Sequence, residues 1–205
     1  MFFKPEDRDK TLLPHDPLKA IVAPRPIGWI SSLSLDGVAN LAPYSFFNMV
    51  GGNPPLLMFS SEGIKDTARN AIETGEFVFN YASENLTREI NESSIDAPAG
   101  VSEFNRLGIK TAKSNTVSPP RVASAFAALE CKVTDTIEAQ DIMGVKTGAI
   151  IIIGQVTGVH IDEHVIKDGR FDTALARPLT RLGYMDFGLS SGFHELQRPK
   201  WNENE

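Results

Sequence analysis

The sequence predicts a mainly β fold, a small barrel with a few helical insertions, on three observations. Eight of the 13 prolines lie within the first 55 residues, where they would interrupt long helices by removing a hydrogen-bond donor. Several short runs alternate apolar and polar residues with the period of a strand. Four consecutive isoleucines at residues 150–153 favour a strand over a helix, because β-branched side chains pack well on a pleated surface.

In the first third of the chain, we expect short strands over residues 20–23, 27–35 and 56–61. The dipeptide Asp36-Gly37 follows the second of these runs and is typical of a hairpin turn.

The middle of the chain changes to a helical period. Ala68 and Ala71 recur at helical spacing, which predicts a helix over residues 65–74. Asp66 is a suitable N-cap for this helix, and Gly75 stands where a helix would stop.

A strand is expected next, because residues 76–82 alternate aromatic and other side chains with a period of two. Two short helices are expected over residues 85–91 and 102–107. Residues 93–100 separate them, and we expect this stretch to form a loop or a mobile lid.

The last third is mostly β. We expect an extended segment over residues 123–139 and the strongest strand of the chain over residues 148–161, buried on both faces. Gly154 and Gly158 inside this strand indicate bulges or a close approach of another backbone. The polar tail, residues 197–205, is expected to be peripheral.

Composition places the chain among globular proteins. With 205 residues, 41% hydrophobic and 22% charged, we expect one domain over residues 1–205 with a core over about 18–187. A net charge of −6 argues against a general nucleic-acid binder, and a single cysteine excludes an internal disulfide. Wholly apolar runs, such as residues 149–153, are far shorter than the ~20 residues of a membrane-spanning helix. The charged first residues lack the apolar core of a signal peptide, so we expect a cytoplasmic protein.

The sequence contains no glycine-rich dinucleotide fingerprint, no Walker lysine loop and no zinc-protease motif. His160 and His164 are a close pair, but in a strand and turn they are more often ordinary polar residues than metal ligands. Cys131 follows the alternation of core positions, so we expect a buried thiol and not a nucleophile. We therefore expect no metal.

Hydroxyl, amide and amine side chains recur where predicted strands end and a helix begins. Such groups, together with the positive end of a helix, are those that hold a phosphate. In an acidic chain, Lys65 supplies the local positive charge. Each residue alone is more often structural, as a strand-end serine or a helix cap, but the whole set favours a phosphorylated ligand. The set comprises Ser31, Ser32, the run Asn40 to Ser45, Ser60, Ser61, Lys65, Asp66 and Thr67.

These residues lie in ordered motifs that resemble one known family. The motifs are APRPIGWISSLSLDGVANLAPYSFFN, PPLLMFSS, KDTARNAIETGEFVFN, FAALECKV, IIIIGQVTGVHID and RPLTRLGYMDF, in this order. Together, over residues 21–187, they resemble the flavin reductase-like family with an FMN-binding split barrel. That family includes flavoredoxins and reductase components of two-component monooxygenases, such as nitrilotriacetate monooxygenase component B.

The resemblance implies a Greek-key split β-barrel, a homodimer, and FMN near the subunit interface. Ser31 and Ser32 would then line the flavin tail or phosphate, and Asn40 would face the isoalloxazine edge. The strand backbone beside Asn40 would also face that edge, at Ala42, Pro43, Tyr44 and Ser45. A strand made rigid by proline can present unpaired N–H groups to the ring. Phosphate would be held by Ser60, Ser61, Lys65 and Thr67, with Asp66 as a cap or positioning residue.

The activity implied is hydride transfer from NADH or NADPH to FMN, with reduced flavin supplied to a partner monooxygenase. Because the flavin carries the hydride chemistry, no side chain is expected to be an essential acid or base. Two alternatives need the same pocket. One is an electron carrier in which FMN receives electrons from another protein, and the other is a flavin-binding or storage module without turnover.

Six further residues need comment. Four of them have two possible interpretations each, and the other two have no assigned role. Trp29 and Tyr44 would contact the flavin ring or belong to the core, with the core preferred. Arg25, between two prolines, would reach a phosphate or nicotinamide or be a surface charge. His160 would approach the nicotinamide or be structural, the structural reading being preferred. No role is assigned to Arg181 or to Tyr184, where many relatives carry a second glycine.

Overall fold

The computed structural model describes residues 1–190, 192–199 and 201 of the chain. Its strands are β1 Arg25–Pro26, β2 Gly28–Leu33, β3 Ala39–Tyr44, β4 Phe47–Gly52, β5 Pro55–Glu62, β6 Glu76–Tyr81, β7 Thr111–Ala112, β8 Arg121–Val122, β9 Ala127–Gln140, β10 Lys146–Ile161, β11 Ile166–Lys167, β12 Arg170–Phe171, β13 Leu179–Arg181 and β14 Phe187–Leu189. Its α-helices are α1 Leu18–Ile21, α2 Asp66–Thr74, α3 Thr87–Glu92, α4 Glu103–Leu107 and α5 Thr173–Ala176. Turns of 3-10 helix lie at Pro5–Asp7, Glu84–Leu86 and Glu163–Val165.

Seven strands form one antiparallel sheet in the order β3-β2-β6-β9-β10-β5-β4. The two end strands, β3 and β4, are consecutive in the chain and are separated only by Ser45 and Phe46. Because so short a link spans the ends, the sheet must curl until its first and last strands approach each other. No ladder joins β3 to β4 in the described residues, so the barrel is split between them. The mainly β, split-barrel fold is confirmed.

The barrel interior is filled by side chains that point inward from neighbouring strands. Phe59 of β5 and Phe77 of β6 are fully buried and meet edge to face, with ring centroids 5.2 Å apart. Cys131 of β9 joins the same cluster, which α2 covers with Ala68 and Ala71. This packing fixes the position of α2 against the barrel.

Neighbouring residues of β2 face two different clusters, as alternation along a strand requires. Ile30 points into the barrel, whereas Trp29 packs on the other side with Leu41, Ile90 and Phe104. This second cluster joins β2 and β3 to α3 and α4, and so places α4 beside the free edge of β3.

Most predicted elements are confirmed. The expected strands correspond to β2, β5, β6, β9 and β10, and the expected helices correspond to α2, to α3 with the 3-10 turn before it, and to α4. The turn at Asp36-Gly37 joins β2 to β3 in a hairpin. Helix α2 ends at Gly75, whose φ of 71° lies in the left-handed region that glycine adopts without strain.

Two predictions near helix starts are wrong. Residues 18–21 form α1 and not the strand expected over residues 20–23, since Asp16 accepts a hydrogen bond from the N–H of Leu18 and Pro17 already has helical backbone angles. The N-cap of α2 is Lys65, with extended backbone, and not Asp66. Asp66 is the first helical residue, and its carboxylate binds Arg69 at 2.6 Å.

The prediction that the isoleucine strand is buried on both faces is also wrong. Ile150 and Ile152 are buried in the barrel, but Ile151 and Ile153 point outward and are half-buried. The bulges expected at Gly154 and Gly158 are confirmed as shifts in the register between β9 and β10.

No helix in the described part of the chain is long and apolar enough to cross a membrane. In the polar tail, residues 197–199 and 201 are exposed and have no regular structure. Residues 200 and 202–205 of the predicted tail lie outside the described residues.

Candidate functional site

A cavity of about 240 Å3 lies between β3, the start of α2, and the segment between α3 and α4. Three groups of residues line it, together with Glu103 of α4. They are Asn40, Ala42, Pro43 and Tyr44 from β3; Lys65, Asp66 and Thr67 from the start of α2; and Ser93, Ser94, Ile95, Asp96 and Ala97. Residues 94–101 are called the flap below.

The structure therefore brings together seven of the twelve predicted site residues: Asn40, Ala42, Pro43, Tyr44, Lys65, Asp66 and Thr67. These residues come from two sequence motifs, and the antiparallel pairing of β2 with β3 and the packing of α2 on the barrel make them neighbours.

The first turn of α2 meets β3 through a buried side-chain pair. Asn40 Nδ2 donates a hydrogen bond of 2.7 Å to Thr67 Oγ1, and both residues are buried. Lys65, the N-cap, is the sole basic residue among the described residues that line the cavity. A helix N-terminus carries partial positive charge and free N–H groups, so this end of the cavity suits an anion.

Tyr44 belongs to both the cavity and the core. Its ring packs against Phe59 with the centroids 4.9 Å apart, and the residue also lines the cavity. Burial raises the pKa of the Tyr44 phenol, against the effect of hydrogen bonds with the hydroxyls of Thr67 and Ser61. The phenol therefore stays protonated and keeps its hydrogen-bonding hydroxyl near the start of α2.

The backbone edge of β3 is partly occupied by Glu103. Leu41 N donates a hydrogen bond of 2.9 Å to Glu103 Oε2. Edge groups of a strand alternate in direction, so the next outward position is 43, where Pro43 has no N–H. Of the unpaired N–H groups expected along this edge, none is therefore available at residues 41 and 43.

Three carboxylates share the cavity with the single lysine. Glu103 is only 5% exposed, and burial raises its pKa, although the hydrogen bond from Leu41 N acts in the opposite direction. Asp66 is bound by Arg69, and Asp96 of the flap lies 3.6 Å from Lys65 Nζ. The positive charge that an anion needs is therefore already balanced in this conformation.

Five predicted residues do not line the cavity, because their strands turn them elsewhere. Ser31 and Ser32 are fully buried, and the Ser31 hydroxyl donates to the Pro120 carbonyl at 2.6 Å. The Ser32 hydroxyl accepts a hydrogen bond of 3.1 Å from Asn70. Both hydroxyls are bonded inside the protein, where they hold strand β2 against its neighbours, and neither residue lines the cavity.

The remaining three serines lie on or next to β5 and β3. Ser61 is buried and donates a hydrogen bond of 2.8 Å to the Gly63 carbonyl, which shapes the turn before α2. Ser45 and Ser60 are not among the residues that line the cavity.

Arg25 is neither a surface charge nor a cavity residue. It is 7% exposed, and its guanidinium donates to the carbonyls of Lys19, Val22 and Leu182. It therefore ties the turn after α1 to the end of β13, a structural role that the two flanking prolines do not indicate.

The surroundings of His160 and Cys131 agree with the structural roles that the sequence favoured for both residues. His160 Nε2 lies 2.5 Å from Oε1 of the fully buried Glu130. Burial raises the pKa of the Cys131 thiol to about 12, so the thiolate is not available at neutral pH. His164 binds Asp162 instead of joining His160, and no metal-binding cluster occurs in the described part of the chain.

The segment after β13 is organised by Arg181. Its guanidinium donates to the carbonyls of Tyr184 and Asp186 at 2.6 and 3.1 Å and lies 4.5 Å from the centroid of the Phe187 ring. Tyr184 has a φ of 54°, the left-handed region that glycine adopts most easily. The tyrosine thus takes a backbone conformation for which a glycine would be expected, and neither residue lines the cavity.

Sequence reasoning missed Glu103, Arg69 and the lining residues of the flap as site residues. The flap itself was expected to be a loop or lid. Glu103 meets Leu41 across 62 positions of the chain, and no local pattern signals such a contact. Arg69 could have been found, since it lies one helical turn from Lys65 on the predicted helix.

The chain is thus a split β-barrel protein with a cavity beside its end strand β3. Comparison with known proteins identifies its family. The model of the flavin reductase like domain matches residues 22–181. The chain belongs to the flavin reductase-like family, which confirms the resemblance seen in the sequence.

Relatives cover nearly the whole chain. The uncharacterised YwrF protein of Bacillus subtilis is 39% identical over 188 residues, which span 89% of this chain and 91% of that protein. The crystal structure of nitrilotriacetate monooxygenase component B from Bacillus cereus is 30% identical, with a TM-score of 0.87 over 96% of this chain and 98% of that one. The 2-nitrobenzoate 2-nitroreductase of Pseudomonas fluorescens is 29% identical, with a TM-score of 0.79 over 89% of this chain and 88% of that one.

Proposed function

We propose that this protein binds FMN and catalyses its reduction by NADH or NADPH. The observation that carries the proposal is the cavity that joins β3 to the N-terminus of α2 with Lys65 at its mouth. Membership of the flavin reductase-like family and the similarity to a monooxygenase component B support the same function.

The phosphate of FMN would bind at the start of α2. Lys65 supplies a charge, the first turn of the nine-residue helix supplies N–H donors, and Thr67 supplies a hydroxyl. Asp66 would not oppose the phosphate fully, because Arg69 already neutralises it. Asn40 would act at this same end, since it is bonded directly to Thr67, and not at the ring edge where the sequence motif suggested.

The isoalloxazine ring would extend from Tyr44 and Pro43 along the free edge of the barrel. A cavity of about 240 Å3 is smaller than the roughly 300–1,000 Å3 of pockets that enclose a whole small-molecule ligand. It suits the phosphate end of FMN and leaves the ring in need of a second wall.

A second copy of the chain would supply that wall. Phe46, Met49 and Val50 are exposed on or beside the edge strand β4, and Ile21 and Val22 are exposed on the turn that precedes β1. Lys19 Nζ lies 5.5 Å from the centroid of the Phe46 ring, so helix α1 lies beside the first of these residues. Exposed apolar patches of this kind mark interaction surfaces, and we include a homodimer in the proposal.

Bound FMN would supply the hydride-accepting chemistry. The chain would bind the phosphate through Lys65 and Thr67, orient the cofactor through Asn40 and Tyr44, and exclude water with the flap. No side chain acts as an essential acid or base in this proposal. Reduced flavin would then serve a partner monooxygenase.

Anaerobic visible spectra of the FMN-loaded protein, before and after addition of NADH or NADPH, test this function. Rapid bleaching of the flavin band is the expected result, and the faster donor identifies the coenzyme. A bound flavin that stays oxidised with both donors would overturn the reductase and favour the electron carrier or the binding module. The shared site also predicts that flavin affinity weakens as the protein is diluted toward the monomer.

A further inference from the structure

The flap is fixed at both ends. Before it, Ser93 is buried, accepts a hydrogen bond of 2.9 Å from Trp29 Nε1 and donates one of 3.0 Å to the Ile90 carbonyl. After it, Ser102 and Glu103 are buried at the start of α4. Movement of the flap would therefore be confined to the residues between these anchors.

Between its anchors the flap is loosely held. Its backbone hydrogen bonds, among the described residues, run from Ser94 to Asn91 just before it and from Val101 to Pro98 within it. Cavities of about 570 and 420 Å3 lie along its two ends, in addition to the candidate site. Segments with few backbone hydrogen bonds and little packing open at low cost.

One ion pair joins the middle of the flap to α2 in the described part of the chain. Asp96 Oδ1 lies 3.6 Å from Lys65 Nζ, and the two side chains are 94% and 60% exposed. The Asp96 carboxylate is thus paired with Lys65, the residue that the proposed function assigns to the phosphate of FMN. An exposed pair of this kind is weak and is easily replaced by a stronger partner.

We propose that Asp96 is a specificity-determining latch: its carboxylate competes for Lys65 and holds the flap closed until the phosphate of a ligand displaces it. This inference rests on the proposed function, because it takes Lys65 as the phosphate ligand. A phosphate dianion carries more charge than a carboxylate and also interacts with the N-terminus of α2, so it displaces Asp96. A flavin without a phosphate has no group that releases the latch.

The test compares the wild-type protein with Asp96→Asn, which keeps the side-chain shape and removes the charge. Asp168→Asn is the matched control, because Asp168 is exposed in the turn between β11 and β12 and does not line the cavity. Stopped-flow fluorescence gives the association rate and the affinity of FMN and of riboflavin for each variant. Hydrogen exchange of the flap amides is measured on the same proteins without ligand.

For Asp96→Asn we expect FMN to bind about two- to fivefold more tightly, through a faster association rate. In the wild type, the molecules whose flap is closed do not bind flavin, and this lowers the apparent affinity. Flap amides should exchange faster than in the wild type. Riboflavin affinity should rise more than FMN affinity, because riboflavin cannot displace Asp96 from Lys65 in the wild type. Asp168→Asn should behave as the wild type.

Two outcomes would overturn the latch. One is flavin binding and flap exchange equal to the wild type. The other is a gain for FMN that riboflavin does not exceed, which would mean that Asp96 does not favour the phosphorylated flavin. If neither protein binds flavin, the proposed function fails. The specificity of the latch then fails with it, and flap exchange decides only whether the pair of Asp96 and Lys65 restrains the flap.

Discussion

The amide of Asn40 donates a hydrogen bond of 2.7 Å to the hydroxyl of Thr67, and this buried contact joins β3 to the first turn of α2. Because the Thr67 hydroxyl accepts from Asn40, it can donate its own proton, and the neighbouring Tyr44 phenol already bonds to it. The two walls of the candidate site are therefore held together by a side chain that also lines the cavity.

Thr67→Val should weaken both the fold and the binding of FMN. The substitution keeps the shape of the side chain but leaves the buried Asn40 amide without its acceptor, at a cost of about 1–3 kcal/mol. Urea unfolding measures this loss. Thr67→Ser should restore stability and most of the FMN affinity, and a valine variant as stable as the wild type would show that Asn40 finds another partner.

Lys65→Ala should lower FMN affinity and should not lower riboflavin affinity. A hydrogen bond to a charged group contributes about 1.5–3 kcal/mol, so the dissociation constant for FMN should rise by roughly one to two orders of magnitude. Titration of flavin fluorescence with both ligands measures the difference.

Lys132→Ala is the control for this experiment, because Lys132 is exposed on β9 and does not line the cavity. It removes the same charge from the protein and should leave both affinities unchanged. Equal losses for FMN and riboflavin in Lys65→Ala would show that Lys65 is structural and does not bind the phosphate.

The elements of the barrel are predictable because their signals are local. Alternation identifies β6, and helical spacing with a terminal glycine identifies α2. The wrong prediction of a strand over residues 20–23 also relied on a local signal, a short apolar run. That run does not reveal the helical turn that Asp16 and Pro17 start just before it.

The candidate site is predictable only in part because its walls are far apart in the sequence. Lys65 and Thr67 lie in one motif and were found through it. Ser32 has the same chemistry, yet its hydroxyl is bound by Asn70 in the interior, and Asp96 and Glu103 reach the cavity through packing of α3 and α4. Residue type and motif identify which groups could bind a phosphate, but tertiary packing decides which of them face the cavity.

Glu130 should make stability depend on pH in the acid range. Burial alone would raise its pKa, but hydrogen bonds from the side chains of Thr116 and His160 and from the backbone of Asn115 and Thr116 lower it to about 2. A lowered pKa in the folded state means stability that is complete above the ordinary value of 4.5 and is lost as the pH falls toward 2. The shift in the Glu130 pKa corresponds to a decrease in the free energy of unfolding on the order of 3 kcal/mol when this carboxylate is fully protonated.

The Glu130→Gln variant tests this expectation, since glutamine does not titrate. The free energy of unfolding is measured in urea from pH 7 to pH 2.5 for the wild type, Glu130→Gln and the exposed control Glu163→Gln. The wild type and the control should lose more stability between pH 4.5 and 2.5 than Glu130→Gln does. Parallel curves for all three proteins would contradict a lowered pKa of Glu130.

Glu103 should oppose phosphate binding at neutral pH. Burial raises the pKa of this carboxyl, and the negative charge of Asp66 acts in the same direction. Because the pKa is raised in the folded state, ionisation costs stability as the pH rises above 4.5, and protonation at lower pH removes a negative charge from the cavity. Glu103→Gln should therefore bind FMN more tightly at pH 7, by a factor on the order of ten.

Titration of FMN and riboflavin from pH 8 down to pH 4 separates the charge of Glu103 from the charge of the ligand phosphate. The phosphate has its own second pKa near 6, which affects the wild type and Glu103→Gln alike. The ratio of their FMN affinities should consequently approach one as the pH falls and Glu103 becomes protonated in the wild type. Glu6→Gln, exposed in the N-terminal 3-10 turn, should match the wild type throughout. A ratio that stays constant with pH, or a gain that riboflavin shares, would show that Glu103 acts on the packing of β3 through Leu41 and not on the charge of the phosphate.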